Sequence, residues 1–287
     1  MDNWLKSVFV ILYMLATLAL AGFGIWKIAG GGDPLAWSGL LLTVVPYLIL
    51  MGLLMGRKMP RTSANLPWLG IAAVAGTVLA AWAVMARGAE PLALWLTVAG
   101  MLGLMLYVHW YSRLPKRKMR LEPGSRLPAF TLKALDGGQV SSEKLTRGPS
   151  VLIFYRGNWC PLCMAQINEL AGTYWKLAAL GVRVALISPQ PHDQTIALAR
   201  RFDIDFDFLT DENNQAARTL GIAVPHGLPM GLQMMGYNSE TVMPTVIITD
   251  GEGRVLWADE TDNYRVRPEP DLFLQVLQRH GLGQAVA

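Results

Sequence analysis

Two cysteines carry the clearest chemical signal in the sequence. Cys160 and Cys163 are the only cysteines in the chain, with Pro161 and Leu162 between them. Residues 150–155 predict a buried strand before the pair, and residues 164–180 predict a helix after it. A cysteine at a helix N-terminus faces unpaired backbone N–H groups and the positive end of the helix dipole, which stabilise a thiolate. Because the thiolate attacks disulfides and peroxides, the pair predicts a redox site.

Three other interpretations of the pair stay open. A zinc site needs four ligands, and the four histidines are not paired at short spacing, so we expect no metal and no other cofactor. A structural disulfide across so short a loop would restrict the unfolded chain little. The third alternative is two inert core cysteines, but Pro161 at a helix start and Trp159 beside the first cysteine favour a working site.

Charge and hydropathy divide the 287-residue chain into two parts. Residues 1–120 carry eleven Lys/Arg and three Asp/Glu, whereas residues 121–287 carry fourteen Lys/Arg and eighteen Asp/Glu. The net charge of +4 and the pI near 9.1 therefore combine a basic and an acidic part. Basic loops beside apolar runs are typical of membrane proteins, so we expect a lipid membrane and no nucleic acid as a partner.

Four apolar runs lie within residues 1–112, and each approaches the length of about 20 residues that spans a bilayer. No run contains Asp, Glu, Lys or Arg, and four in succession argue against one cleaved signal peptide. We therefore predict a domain of four transmembrane helices at residues 1–112. Small residues at 72, 76 and 80 predict close helix packing in the third run. The runs are residues 7–26, 36–55, 67–86 and 91–111.

The distribution of Lys and Arg predicts the orientation of these helices. The N-terminus, the second connection and the segment after the fourth run are basic, and with four spans all three lie on one side. Both termini and the cysteine pair are therefore predicted on the cytoplasmic side of a bacterial-type inner membrane, where dithiols are kept reduced. Residues 113–124 are predicted to form a basic juxtamembrane linker on anionic lipid. These basic residues are Lys6, Arg57, Lys58, Arg61, Arg113, Lys116, Arg117, Lys118 and Arg120.

Residues 125–287 alternate between patterns typical of strands and patterns typical of helices. This alternation, with a hairpin near the end, predicts an α/β domain with a mixed sheet. The predicted strands are 151–155, 182–187, 206–209, 245–249 and 254–257, and the predicted helices after the cysteine helix are 193–202, 211–220 and 271–280.

Three segments of this domain resemble a known family. They are 127–132 (LPAFTL), 154–163 (FYRGNWCPLC) and 243–250 (MPTVIITD). Together they resemble the alkyl hydroperoxide reductase/thiol-specific antioxidant branch, the peroxiredoxin-like branch, of the thioredoxin superfamily. The resemblance covers residues 125–280 approximately and implies a thioredoxin-like fold. The four apolar runs resemble no family that we recognise.

The resemblance implies two possible chemistries. In the peroxiredoxin pattern Cys163 falls at the peroxidatic position, Cys160 replaces a threonine, and Arg156 replaces a proline. Pro244 stands where those proteins place an arginine. In the thioredoxin pattern Cys160 is the attacking thiolate and Cys163 the resolving thiol. Pro244 would then be a cis-proline facing the pair, with Met243 before it.

The thioredoxin pattern fits more of these positions. It implies a membrane-anchored thiol–disulfide oxidoreductase that reduces a protein disulfide and is restored by an external thiol reductant such as a thioredoxin system. The first alternative is a thiol peroxidase acting on a hydroperoxide, and the second is a redox-sensing or assembly factor. Trp159 and Arg156 are further expected site residues, and Arg265 is another candidate for anion binding. Residues 221–241 predict a long loop whose methionines form an adaptable apolar surface.

Overall fold

The computed structural model describes residues 2–56, 59–113, 121–259 and 261–282. The chain divides into two compact units. The helical unit consists of Met1–Lys58 and Thr62–Arg113, and the α/β unit consists of Met59–Arg61 and Leu114–Ala287. The linker boundaries stay a prediction, because most of the linker lies outside the described residues. The basic residues Arg57, Lys58, Lys116, Arg117, Lys118 and Arg120 also lie outside them.

The helical unit contains four long apolar helices, as predicted, and each is long and apolar enough to cross a membrane. Proline at the first position starts three of them, since its missing N–H has no helical partner there. The fourth helix ends in a π-helical turn. Membrane insertion and orientation stay predictions. The helices are α1 (Asp2–Ala29), α2 (Pro34–Met55), α3 (Pro67–Arg87) and α4 (Pro91–Leu106), and the π-helical turn is Tyr107–Tyr111.

Small residues set the distance between α2 and α3. A Cβ added at Gly39 would lie 2.5 Å from the Gly76 carbonyl oxygen, so the two backbones are in contact. The buried residues of α3 are Ala73, Gly76, Ala80 and Ala83, which include two of the three small positions expected from the sequence. Large apolar side chains such as Trp68 and Met85 lie instead on the exposed surface.

The α/β unit is built on a seven-stranded mixed sheet in the order β2-β1-β5-β4-β3-β8-β9. Strands β3, β4 and β5 run parallel, and β8 pairs antiparallel with both β3 and β9. The predicted α/β class is thus confirmed. The strands are β1 (Thr131–Lys133), β2 (Gln139–Ser141), β3 (Ser150–Phe154), β4 (Arg183–Ser188), β5 (Asp207–Thr210), β6 (Ala223–Val224), β7 (Thr241–Val242), β8 (Thr245–Thr249) and β9 (Val255–Ala258).

Helices flank this sheet, and the helix between β3 and β4 is the one that follows the cysteine pair. All five residues of β3 and of β8 are buried, so both strands are covered on their two faces. The helices are α5 (Ser142–Leu145), α6 (Pro161–Ala178), α7 (His192–Ala199), α8 (Gln215–Leu220) and α9 (Pro270–Arg279).

The helix predicted at 211–220 is shorter than expected. A 3₁₀ turn at Glu212–Asn214 precedes α8, and Asn213 and Asn214 are left-handed, with φ of 55°. The reason is the carboxylate of Asp211, which accepts hydrogen bonds from the backbone N–H groups of Ala216 and Ala217 at 2.9 Å. Asp211 therefore caps the helix from a position several residues before its start.

Candidate active site

Cys160 and Cys163 lie at the N-terminus of α6, shortly after the buried strand β3. Cys160 is the N-cap residue, and its Sγ accepts a hydrogen bond from the backbone N–H of Cys163 at 3.3 Å. Both thiols are free, and both are buried, with exposures of 2% and 0%. The predicted position of the pair is confirmed.

A glycine allows the chain to turn from β3 into this helix. Gly157 has a φ of 143°, and a Cβ at this position would lie 2.6 Å from the indole nitrogen of Trp159. Any other residue would therefore push Trp159 away from the turn. Gln190 braces the same turn, because its Oε1 accepts a hydrogen bond from the Asn158 N–H at 2.7 Å.

A buried arginine contacts both sulfur atoms. Arg267 lies between β9 and α9 and is only 5% exposed. Its Nη2 is 3.4 Å from Cys163 Sγ and 3.9 Å from Cys160 Sγ. Its Nη1 donates to Gln166 Oε1 at 2.8 Å. Gln166 lies on α6 one turn after the cysteines, so it fixes the direction in which this guanidinium points.

The surroundings shift the pKa values of the two cysteines in opposite directions. Burial alone would raise the pKa of Cys163, but the Cys160 thiol donates a hydrogen bond to it, and Arg267 and Arg156 are positively charged. These groups lower the pKa of Cys163 to about 5. Burial, the hydrogen bond to Cys163 and the negative charge of Cys163 raise the pKa of Cys160. These surroundings favour a thiolate at Cys163, whereas the thioredoxin pattern implies one at Cys160.

Arg156 is a second buried cation at this site. Its guanidinium carbon lies 4.7 Å from the centre of the Trp159 ring and 5.6 Å from that of Tyr264, which are cation–π distances. Its side chain donates to the carbonyl oxygen of Gly227. Arg156 and Trp159, both expected site residues, thus contact each other next to the cysteine pair; their role in substrate positioning stays a prediction.

The long loop predicted from the sequence lies beside the cysteine pair. It joins β6 to β7 and occupies residues 225–240, which we call the 225–240 loop. The hydroxyl group of Tyr237 donates to Asn158 Oδ1, two residues before Cys160. Arg156 holds the other end of the loop through Gly227. Met234 is 93% exposed, so the apolar surface expected from the loop methionines faces solvent.

The α/β unit is similar in sequence to known proteins. Residues 123–258 match the AhpC/TSA family. Residues 123–258 are an AhpC/TSA family domain. Over 103 residues the chain is 31% identical to the chloroplastic peroxiredoxin Q of Sedum lineare, covering 36% of this chain and 55% of that protein. The chain thus spans about half the length of that relative.

Two further similarities have different extents. A putative peroxiredoxin of Mycobacterium tuberculosis is 25% identical over 139 residues, which are 48% of this chain and 85% of that protein. The crystal structure of the peroxidoxin BcpB from the same organism superposes with a TM-score of 0.47 at 20% identity. It covers 56% of this chain and 98% of that chain.

Two further expected site residues, Met243 and Pro244, connect β7 to β8. Pro244 precedes Thr245, which pairs with Phe154 at the end of β3. The described residues contain no cis peptide bond, so the prediction of a cis-proline at 244 is wrong. The chain runs directly from β7 into β8, and the buried Met243 donates its N–H to Ile222 at 2.8 Å. Both residues thus anchor the connection between these strands.

Arg267 and Gln166 were not identified as site residues from the sequence. Arg267 follows Cys163 by more than a hundred residues, and nothing in its local sequence marks it as buried. Arg265, the arginine that the sequence offered, is fully buried, and the arginine 3.4 Å from Cys163 Sγ is Arg267. The described residues hold no group of three or more His, Cys, Asp or Glu side chains that could bind a metal.

Proposed function

We propose that this protein is a membrane-anchored thiol peroxidase in which Cys163 attacks a hydroperoxide and Cys160 resolves the product. The observation that carries the proposal is the contact between Cys163 Sγ and the buried guanidinium of Arg267, at 3.4 Å. It supports a stable thiolate at the position that the family resemblance gives to the peroxidatic cysteine. Arg267, which lies just before α9, would thus supply the positive charge that peroxiredoxins place at the position of Pro244.

The first step oxidises Cys163. Its thiolate attacks the terminal oxygen of the hydroperoxide, the O–O bond breaks, and an S–O bond forms. With one proton taken up, the products are a cysteine sulfenic acid and an alcohol, or water where the substrate is hydrogen peroxide. Arg267 can stabilise the developing negative charge, because its Nε is buried and has no hydrogen-bond partner among the described residues. This Nε–H is therefore available as a donor to a substrate oxygen atom that reaches the guanidinium.

The second step forms the disulfide. In the reduced site, the charge of Cys163 and the hydrogen bond to it help to keep Cys160 protonated, because both raise its pKa. Once Cys163 is an uncharged sulfenic acid, both effects are gone, while Arg267 Nη2 is still 3.9 Å from Cys160 Sγ. Cys160 can then lose its proton and attack Cys163, releasing water and leaving a Cys160–Cys163 disulfide. An external dithiol, such as that of a thioredoxin system, restores both thiols.

The helical unit supports the anchoring part of this proposal. Its four helices have the length and composition of membrane spans and expose large apolar side chains. The basic connections predict that the AhpC/TSA domain lies in the cytoplasm. Extraction by detergent but not by alkaline carbonate, with a reporter at Ala287 active only in the cytoplasm, is the expected result. Carbonate extraction or a periplasm-active reporter would contradict it.

A disulfide reductase is the second candidate, because Cys160 is the N-cap residue and follows Trp159, as in the thioredoxin pattern. In that function Cys160 attacks, and Cys163 resolves the mixed disulfide. The charges around Cys163 favour the peroxidase.

Single-turnover kinetics of the full-length protein in detergent separate the two functions. For the peroxidase, Cys163→Ser abolishes the reaction with hydrogen peroxide or cumene hydroperoxide. Cys160→Ser still consumes one equivalent of peroxide and leaves a sulfenic acid that dimedone traps at Cys163. For the reductase, Cys163→Ser traps a mixed disulfide at Cys160 instead, and peroxide turnover is negligible in the wild type.

A further inference from the structure

Arg61 binds the two segments that hold Arg267 in place. It lies in the connection between α2 and α3 and belongs to the α/β unit. Its Nη2 donates to Glu169 and lies 3.5 Å from the Pro268 carbonyl oxygen, and its Nη1 lies 3.4 Å from Glu269 Oε1. The side chains of Arg61 and Glu169 are 22% and 31% exposed, so their contact is partly shielded from water, whereas Glu269 is 67% exposed.

The acceptors of Arg61 lie next to the residues that position the thiolate. Glu169 is on α6, one turn after Gln166, the side chain that accepts from Arg267. Pro268 and Glu269 directly follow Arg267 in the chain. Arg61 therefore connects, from outside, the same two segments that the Arg267–Gln166 hydrogen bond connects inside.

The charges give Arg61 an effect beyond that of one exposed ion pair, which usually contributes little. Its guanidinium contacts two carboxylates, one from each segment. Without the positive charge, Glu169 and Glu269 would repel each other and separate the start of α9 from α6. Lys176 and Asp271 also connect these helices, at 3.7 Å, but Lys176 lies two turns after Glu169 on α6.

We propose that Arg61 is a positioning residue of the redox site, holding residues 267–269 against α6 so that Arg267 faces Cys163. Its importance for turnover rests on the proposed peroxidase function. The prediction about Cys163 itself does not, because thiolate formation can be measured without any peroxide.

The test is the pH dependence of Cys163 alkylation by iodoacetamide in the full-length protein in detergent, with the modified cysteine identified by mass spectrometry. Arg61→Gln should raise the midpoint by about half a pH unit and slow peroxide consumption about threefold, since Arg267 is less firmly held. Arg61→Lys keeps the charge and should recover much of the shift. Glu169→Gln should act in the same direction, and Arg61→Gln should add little to it, because both disrupt one contact.

Arg254→Gln is the matched control, because it also removes one arginine and one ion pair, that with Glu252 in the turn between β8 and β9. It should leave the midpoint unchanged. The proposal is overturned if Arg61→Gln keeps the wild-type midpoint, even if it lowers the melting temperature, or if Arg254→Gln shifts the midpoint equally. If Cys163→Ser still turns over peroxide, the peroxidase proposal fails, while the alkylation midpoints still decide the role of Arg61.

Discussion

The helical unit and the α/β unit bury different kinds of polar side chain. Among the described residues of the helical unit, the buried polar side chains are all serine or threonine: Ser7, Thr17, Thr43, Thr97 and Ser112. Small hydroxyl groups can satisfy themselves locally, as Thr97 does by donating to Ala93 one turn earlier. The α/β unit buries Arg156, Arg265 and Arg267, two of them beside the cysteine pair.

The buried polar side chains of the helical unit thus suit helix packing, whereas the buried arginines of the α/β unit suit chemistry. A buried charge is costly unless it is partnered, so buried arginines are retained where a negative charge must be stabilised. Close contact between helices requires only small residues and apolar surface, as at Gly39 and Gly76. We therefore expect substitutions in the α/β unit to change reactivity and substitutions in the helical unit to change stability alone.

Loss of Arg267 should have the largest effect on reactivity. Arg267→Gln removes the guanidinium that contacts Cys163 Sγ, so the pKa of Cys163 should rise and the developing charge in the attack on peroxide should lose a donor. The rate constant for peroxide consumption should fall on the order of a hundredfold. Stopped-flow measurement of Trp fluorescence can follow this reaction. Arg254→Gln is the control for the loss of one arginine, and an equal loss there would remove the special role of Arg267.

How much of this site the sequence predicts depends on how far apart its residues lie along the chain. The cysteine pair, β3 and the start of α6 are contiguous, so local hydrophobic patterns predict their arrangement. Arg156 and Trp159 are within the same stretch and were also predicted. Arg267 reaches the sulfur atoms only because α9 packs near α6, and no local pattern encodes that contact.

The same reasoning explains where the structure differs from the expectations. Which cysteine ionises more easily depends on the position of Arg267, and the helix N-terminus alone pointed to Cys160. The isomer of the bond before Pro244 depends on how β7 joins β8, and a one-dimensional motif does not contain that connection. By contrast, the four apolar helices were predicted to within five residues of their ends, since composition and length alone define them.

Gly39→Ala should have the largest effect in the helical unit and none on the chemistry. The added Cβ would lie 2.5 Å from the Gly76 carbonyl oxygen, so α2 and α3 must separate. We expect a loss of stability of about 1–3 kcal/mol. Thermal unfolding in detergent can measure it, with Gly52→Ala as the matched control, because nothing lies within 4 Å of its Cβ. A changed alkylation rate of Cys163 in Gly39→Ala would contradict the separation of the two units.

The pH dependence of Cys163 alkylation should show how the surroundings set the pKa of this thiol. Its pKa is lowered to about 5 from an ordinary 9.0, so the alkylation rate should be flat above pH 6 and fall tenfold per unit below about 5. The thiolate also contributes stability that is fully present above pH 9.0 and is lost as the pH falls to about 5. Cys160→Ala removes a hydrogen-bond donor and should raise the midpoint by about one unit. An unchanged midpoint would show that the arginines alone lower the pKa of Cys163.

Tyr237→Phe should have the smallest effect, and it tests whether the 225–240 loop limits access to the buried sulfur atoms. The substitution removes only the hydroxyl group that donates to Asn158 Oδ1. Because one hydrogen bond contributes about 0.5–1.5 kcal/mol, the loop should open more often, and alkylation of Cys163 at neutral pH should become about two- to tenfold faster. The pH midpoint should not move, because Tyr237 leaves Arg267 untouched. Tyr174→Phe, which removes a hydroxyl group that donates to the Asp205 carbonyl oxygen at 3.1 Å, is the control. A slower reaction in Tyr237→Phe would show that the loop orders the site instead of closing it.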